Sequence, residues 1–459
     1  MTISPFDTVA AVSTPFGKGG VAVVRLSGEE AFATVSRVFF PASGKPVTDY
    51  PHRTAVYGVI RDPESGEALD DGLCTLFGGP NSFTGEDTAE ISCHGGVLVT
   101  RNVLEACLRA GARQALPGEF TRRAYLNGKL DMERAEALGN LLDAGNDGQV
   151  KLARAGMNGL LTSSAEAVYR DLMEALANME AGMDFPEEDL TELPPEEIRA
   201  ILGKAEGELR GLVSTYRTGR AIAEGIPTVI CGRPNVGKSA FYNRLVGREA
   251  AIVTDIAGTT RDVLTDTVTV GKVTLRLSDT AGLRESDDPV ERIGVERARR
   301  ALEEAELVLA LTDRPEGDPE TEELVKSITE EGRTVIRIFT KSDLDTLRVL
   351  PADSIPTVVL SSVTGEGFDA LTDAVETAFI DRELRMGEEA VVFSARQAAA
   401  LRETAAYLRS ALGNLDAGLP YDVCADDVRA AMGELGLLCG RELREEVLDE
   451  IFSRFCVGK

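Results

Sequence analysis

Eight residues, Gly232-Arg233-Pro234-Asn235-Val236-Gly237-Lys238-Ser239, constrain this chain more than any other segment. They follow an apolar, strand-like run at 226–231 and lead into a helical run at 240–246. A strand, a glycine-rich loop closing on Gly-Lys-Ser and then a helix is the arrangement that cradles the phosphates of a nucleotide. Glycines let backbone amides close around the anion, and the helix N-terminus adds its positive end. In that pattern Lys238 reaches the β- and γ-phosphates and Ser239 ligates Mg²⁺.

At 459 residues the chain is too long for one core, so two to four domains are expected. It holds no apolar run of membrane-spanning length, and its first ten residues lack a basic leader, so a cytoplasmic location with no membrane association is expected. The cysteines, at 74, 93, 107, 231, 424, 439 and 456, are odd in number and never spaced C-x-x-C. That disfavours a disulfide framework and a structural zinc site. His52 and His94 are the only histidines, which leaves few actors for Ser-His or Cys-His catalysis. The net charge of −27 disfavours nucleic-acid binding through the global field. Any such contact must be local or made through a more basic partner.

The fold class expected is multidomain α/β. Residues 1–120 mix strand-like runs at 8–12, 20–26, 55–60, 73–77 and 89–93 with one helix at 97–109, an α+β composition. Gly17-x-Gly19-Gly20 lies between two of these runs with no helix behind it, which reads as a hairpin turn and not a second phosphate loop. Helical periodicity occupies 121–222, interrupted by a proline- and carboxylate-rich stretch at 184–197 that reads as a solvated loop. Strand–helix alternation over 223–382 predicts a doubly wound, mostly parallel sheet, and 383–459 is helical again. The α/β block is thus an insertion in a helical bundle domain.

Further pieces of a GTP site follow the loop in order. Val253-Thr254-Asp255-Ile256-Ala257-Gly258-Thr259-Thr260 places Thr260 to bind Mg²⁺ and sense the γ-phosphate. A strand at 273–277 runs into Asp279-Thr280-Ala281-Gly282, where Asp279 reaches Mg²⁺ through a bridging water and Gly282 offers its N–H to the γ-phosphate. A strand at 334–339 ends in Thr340-Lys341-Ser342-Asp343, and the Asp343 carboxylate can accept both the N1 and N2 hydrogens of guanine. Leu360-Ser361-Ser362 closes another strand, where a backbone N–H can meet guanine O6. The GTP-binding set also includes Val236, Gly237 and Ala240 of the loop. Thr340 stands where this base motif usually carries Asn; its hydroxyl is too short to duplicate every amide contact, so guanine selectivity should survive through Asp343 with affinity reduced.

Leu283 occupies the place where many small GTPases carry a water-orienting Gln. The candidates for that task are Glu285, Asp287, Asp288 and Glu291. No arginine finger is identifiable. Asn235 offers a substitute, because a carboxamide oxygen in the loop can hold a monovalent cation against the phosphates, with carbonyls from 254–259 completing the cage. A local hydrogen bond within the loop is the equal alternative for Asn235.

Taken together, the Gly-Arg-Pro-Asn-x-Gly-Lys-Ser loop, the segment from Thr254 to Asp262, Asp279-Thr280-Ala281-Gly282-Leu283-Arg284 and Val290-Glu291-Arg292-Ile293-Gly294 resemble the MnmE/TrmE family of tRNA-modification GTPases. Gly79-Pro80-Asn81-Ser82-Phe83-Thr84-Gly85-Glu86-Asp87, Pro117-Gly118-Glu119-Phe120 and the terminal Phe455-Cys456-Val457-Gly458-Lys459 extend the resemblance over the whole chain. It implies a Mg²⁺-dependent GTPase stimulated by K⁺, with K⁺ held by Asn235, Thr254, Ile256 and Thr259. It makes Glu291 the catalytic carboxylate and implies hydrolysis triggered by dimerisation of the GTPase domains. The N-terminal domain is implied to form a homodimer and to bind 5-formyl- or 5,10-methylene-tetrahydrofolate through Arg25, Glu90, Lys129 and Lys459. Cys456 is implied in modification and not in hydrolysis. With a FAD-binding, NADH-using partner (MnmG/GidA) in a heterotetramer, the family adds an aminomethyl or carboxymethylaminomethyl group to C5 of the wobble uridine of certain tRNAs.

Arg25 and Lys129 are cations suited to folate carboxylates or carbonyls, and Glu90 can accept from a pterin amino edge; each is otherwise an ordinary surface charge. Cys456 is otherwise a small buried hydrophobe. A basic stretch at Arg122, Arg123, Lys129 and Arg134 offers a local tRNA contact that the net charge does not forbid. A ribosome-assembly GTPase shares the nucleotide motifs but leaves 1–120 and the Cys-Val-Gly-Lys end unaccounted for.

Overall fold

The computed structural model describes residues 7–184, 193–248, 266–278, 301–314, 318–344, 350, 353–381, 383–384, 387–441, 445–453 and 455–458. The chain divides into two compact units, Met1–Gly139 with Cys439–Lys459, and Asn140–Leu438.

The first unit is built on strands β1 (Val9–Val12), β2 (Val21–Ser27), β3 (Phe39–Pro41), β4 (Val56–Arg61), β5 (Ala68–Phe77), β6 (Thr88–His94) and β7 (Arg113–Gln114). They form one sheet in the order β3-β4-β5-β6-β2-β1-β7. Alternation sets its faces: Ala22, Val24 and Leu26 of β2 are buried, while Arg25 points the other way. Helix Val97–Arg109 packs Val103, Ala106 and Cys107 into the same core. β1 and β2 pair antiparallel, so the glycine-rich segment between them is a hairpin connection. β5 begins five residues before the expected start at 73, because Asp70, Asp71 and Gly72, which read as turn residues, pair with Ile60, Val59 and Gly58 of β4.

By its contacts the segment Cys439–Lys459 groups with this unit. Leu448, Phe452 and Phe455 form a cluster with Met132 and Ala135. Val457 bridges to Pro117, and the Ser13 hydroxyl donates to the Gly458 carbonyl at 3.0 Å. Gly458 sits at φ +99°, and a Cβ there would lie 2.1 Å from the Val12 carbonyl oxygen, so only glycine fits. Helical periodicity marks a buried face but not which neighbour covers it.

In the second unit, helices Leu160–Asp184, Pro195–Ser214, Ala395–Asp416 and Tyr421–Leu438 pack as a bundle. Part of the expected loop at 184–197 is helical: Pro195 opens a helix at N1, where its missing N–H costs nothing, with Glu196 and Glu197 at the positive end. Between these helices lie β8 (Ile226–Cys231), β9 (Asp266–Val270), β10 (Val273–Ser278), β11 (Leu307–Thr312), β12 (Thr334–Phe339) and β13 (Thr357–Val359). Their order is β13-β12-β11-β8-β10-β9, parallel throughout except for the β9–β10 pair. Hydroxyls stitch the two chain crossings between bundle and sheet. Thr218 donates to the Phe379 carbonyl at 3.2 Å and accepts from the Asp381 N–H at 3.0 Å, and Thr215 accepts from the Val392 N–H at 3.0 Å.

Candidate functional site

All described parts of the nucleotide machinery lie beyond the C-terminal ends of parallel strands, where open α/β sheets bind ligands. β8 delivers the phosphate loop. Gly232 takes φ +140°, and a Cβ on it would lie 2.4 Å from the Leu311 carbonyl oxygen. Asn235, at φ +62°, and Gly237, at φ +105°, turn the loop in the left-handed region. The Lys238 ammonium donates to the Gly232 and Arg233 carbonyls at 2.7 and 3.0 Å, within the concavity where phosphates would replace these carbonyls as its acceptors. Ser239 and Ala240 begin the helix Lys238–Arg248 and are exposed. The Asn235 side chain is also exposed, and among the described residues its carboxamide takes no hydrogen bond.

β12 delivers the base motif. The buried Thr340 hydroxyl donates to the Val236 carbonyl at 2.7 Å, tying this strand end to the phosphate loop. Thr340 therefore makes a bond to the loop despite its short side chain. Lys341, at φ +57°, donates to the Asn235 carbonyl at 3.0 Å and to Asp313 at 2.6 Å. The buried Ser361 hydroxyl donates to Asp343 Oδ1 at 2.6 Å and accepts the Val363 and Thr364 N–H groups at 3.2 Å each, which fixes the carboxylate. The Ser361 N–H is itself bonded to the Glu366 carbonyl at 3.0 Å. The Ser361 N–H, one of the backbone groups expected near guanine O6, is thus taken within the chain, while its hydroxyl holds Asp343. β13 ends at Val359, so residues 360–362 follow the strand and do not close it.

Asp313, immediately after β11, lies outside every motif named above. It accepts from Arg233 and Lys341, each at 2.6 Å. Burial opposes its ionisation, but these two cations outweigh it and hold its carboxyl below the usual carboxylate range. Its signal in the sequence is a carboxylate just past a strand whose first five residues, 307–311, are apolar. Thr254, Asp255, Ile256, Ala257, Gly258, Thr259, Thr260, Asp279, Thr280, Ala281, Gly282 and Glu291 lie outside the described residues, as does Lys459.

In the first unit, the β2–β6 register sets Arg25 directly opposite Glu90, and Arg25 Nε and Nη2 approach Glu90 Oε1 at 2.9 and 2.8 Å. The Arg25 guanidinium lies 5.5 Å from the Phe83 ring centre and 5.6 Å from that of Phe120, both on segments singled out in the sequence. Lys129 is exposed and its ammonium donates to the Pro80 carbonyl at 2.9 Å. A cation–carboxylate pair beside two aromatic rings fits the donor and acceptor edges of a pterin.

Burial pushes the Cys74, Cys107 and Cys231 thiols up to about 12, which leaves them inert as thiols. Cys456 is exposed, not a buried hydrophobe, and its carbonyl accepts the Gly118 N–H at 3.4 Å.

The basic stretch is not an open cationic surface. Arg123 is 5% exposed and bonds Glu86, Glu119 and the Asp7 carbonyl at 3.0, 3.0 and 2.8 Å. Arg122 pairs with Glu445 and Asp449, and Arg134 with Asp131. Removing one partner of a buried ion network such as that of Arg123 costs about 3–5 kcal/mol, so its place in the fold is accounted for by its intramolecular partners.

A parallel sheet presenting a phosphate loop, a Thr-Lys-x-Asp base motif and a serine-held carboxylate at one edge defines the class, a P-loop GTPase fold combined with helical and α+β parts. Residues 132–456 match the family described as "MnmE helical domain", and residues 8–129 match "GTP-binding protein TrmE N-terminus". Two similar proteins, both called "tRNA modification GTPase MnmE", come from Symbiobacterium thermophilum and Geobacillus thermodenitrificans. The first is 44% identical over 459 residues, covering 99% of each chain; the second is 41% identical over 463 residues, covering 100% of each. The chain belongs to the MnmE family. No described helix is long and apolar enough to cross a membrane.

Proposed function

We propose that this chain hydrolyses GTP in the service of tRNA modification, and that the modified atom is C5 of the wobble uridine. The observation that carries the GTPase half is the convergence of Lys238, Thr340, Lys341, Asp343 and Ser361 at one sheet edge. The full-length likeness to proteins called tRNA modification GTPases supports the other half. Mg²⁺ is held by Ser239 and Thr260, and K⁺ by Asn235, Thr254, Ile256 and Thr259, with Glu291 orienting the attacking water. When bound, K⁺ supplies the positive charge that an arginine finger provides elsewhere. The exposed carboxamide of Asn235, without a hydrogen bond among the described residues, supports that assignment over a loop hydrogen bond.

In this reading the N-terminal unit binds a formyl- or methylene-tetrahydrofolate, with Arg25, Glu90, Lys129 and Lys459 as its ligands. Arg25 and Glu90 orient the donor's polar edge, and Cys456 acts in the modification step. A homodimer working with a FAD-binding, NADH-using partner completes the reaction, and that partner makes most contacts to tRNA phosphates, in keeping with the net charge of −27. A ribosome-assembly role leaves the folate-like unit idle.

Turnover of GTP in KCl and in NaCl at equal ionic strength tests the cation assignment. We expect turnover at least about 10-fold faster in KCl, a modest share of the 10³–10⁵ that a cation at this place contributes. Asn235→Ala should remove the difference. Equal rates in the two salts for the unaltered chain would refute the cage.

A further inference from the structure

We infer that Asp313 is a positioning residue for guanine-nucleotide binding, a clamp that joins the phosphate loop to the base-binding segment. The inference rests on the GTPase reading above. Asp313 leaves the end of β11 between the two segments it serves, and its two oxygens are divided between them. Oδ1 accepts from Arg233 Nη2 of the phosphate loop and Oδ2 from Lys341 Nζ of the base motif, both at 2.6 Å. The Asp313 side chain is 13% exposed, so both bonds form in partly desolvated surroundings, where charge-assisted hydrogen bonds are strong.

Lys341 shows what the clamp does. Its backbone is in the left-handed region, φ +57°, which a residue with a side chain occupies only when its surroundings hold it there. The ammonium is fixed at Asp313 and at the Asn235 carbonyl, while its Cα lies two residues before Asp343. The aliphatic stem is therefore stretched across the gap between base carboxylate and phosphate loop. A purine whose edge meets Asp343 lies with one face against that stem. Without the Asp313 carboxylate, the ammonium keeps a single carbonyl acceptor, and Arg233 loses the partner that fixes the entry of the loop. Both Asp313 oxygens are engaged by Arg233 and Lys341, so its influence passes through these two residues.

The test is stopped-flow dissociation of a fluorescent GDP analogue from the full-length chain, with steady-state GTP kinetics beside it. Binding of the analogue by the unaltered chain is the control; failure there would overturn the GTPase reading itself, separately from the clamp. We expect Asp313→Ala to speed dissociation about 10-fold and to raise KM in step, with kcat at saturating GTP within about twofold. The Lys341→Ala and Asp313→Ala effects should not add, the double variant dissociating no faster than Lys341→Ala alone. Asp313→Glu should recover most of the loss. If Asp313→Ala does not fold, Asp313→Asn is read by the same criteria. Dissociation within twofold of the unaltered chain, or fully additive effects with Lys341→Ala, would overturn the clamp.

Discussion

Asp343→Asn should invert the base preference of this chain, with kcat/KM for GTP falling on the order of 10⁴-fold and xanthosine triphosphate becoming the better substrate. The carboxylate accepts from both N1–H and the exocyclic amine of guanine. A carboxamide presents an N–H₂ to that amine, and once the base covers the site a donor facing a donor costs more than the lost bond alone. Xanthine carries a carbonyl at the same carbon and accepts from the new amide. The Ser361 hydroxyl, at 2.6 Å from Oδ1, fixes the side chain's rotation, so the substituted group occupies the same place and the comparison is clean. Competition between the two triphosphates in a single turnover assay reads the ratio. An unchanged preference for GTP would remove Asp343 from the base site.

Cys456→Ser should separate the two activities. GTP turnover is expected within about twofold of the unaltered chain, while tRNA modification reconstituted with the proposed flavoprotein partner falls at least about 10²-fold, the lower end of what a positioned reactive group contributes. The backbone around Cys456 is anchored independently of its thiol, through Gly118 and the Pro117–Val457 bridge. Serine thus keeps the segment in place and removes only the sulfur chemistry. Loss of GTP turnover in the same variant would assign the cysteine a role in the fold and not in the modification.

The parallel sheet and its loops were legible because each strand is a short apolar run ending in turn or phosphate-loop chemistry, signals that are local in sequence. β8 and β12 occupy the expected 226–231 and 334–339. The helix Val97–Arg109 was legible from its apolar spacing alone. What could not be read was pairing across distance. Arg123 looks like a surface cation beside Arg122 until the fold brings Glu86 and Asp7 to it. Asp313 gains meaning only when β11 sets it between Arg233 and Lys341. Phe452 and Phe455 declare a buried face, but Met132 and Ala135 are more than 300 residues away and nothing local names them. Arg25 and Glu90 are likewise joined only by strand register.

We propose above all that GTP hydrolysis by this chain serves the chemistry at C5 of the wobble uridine. Nucleoside mass spectrometry of tRNA from cells lacking the chain tests it most directly. The aminomethyl-type C5 substituents should disappear, and should return with the unaltered chain but not with Lys238→Ala. Undiminished C5-modified uridines in those cells would contradict it.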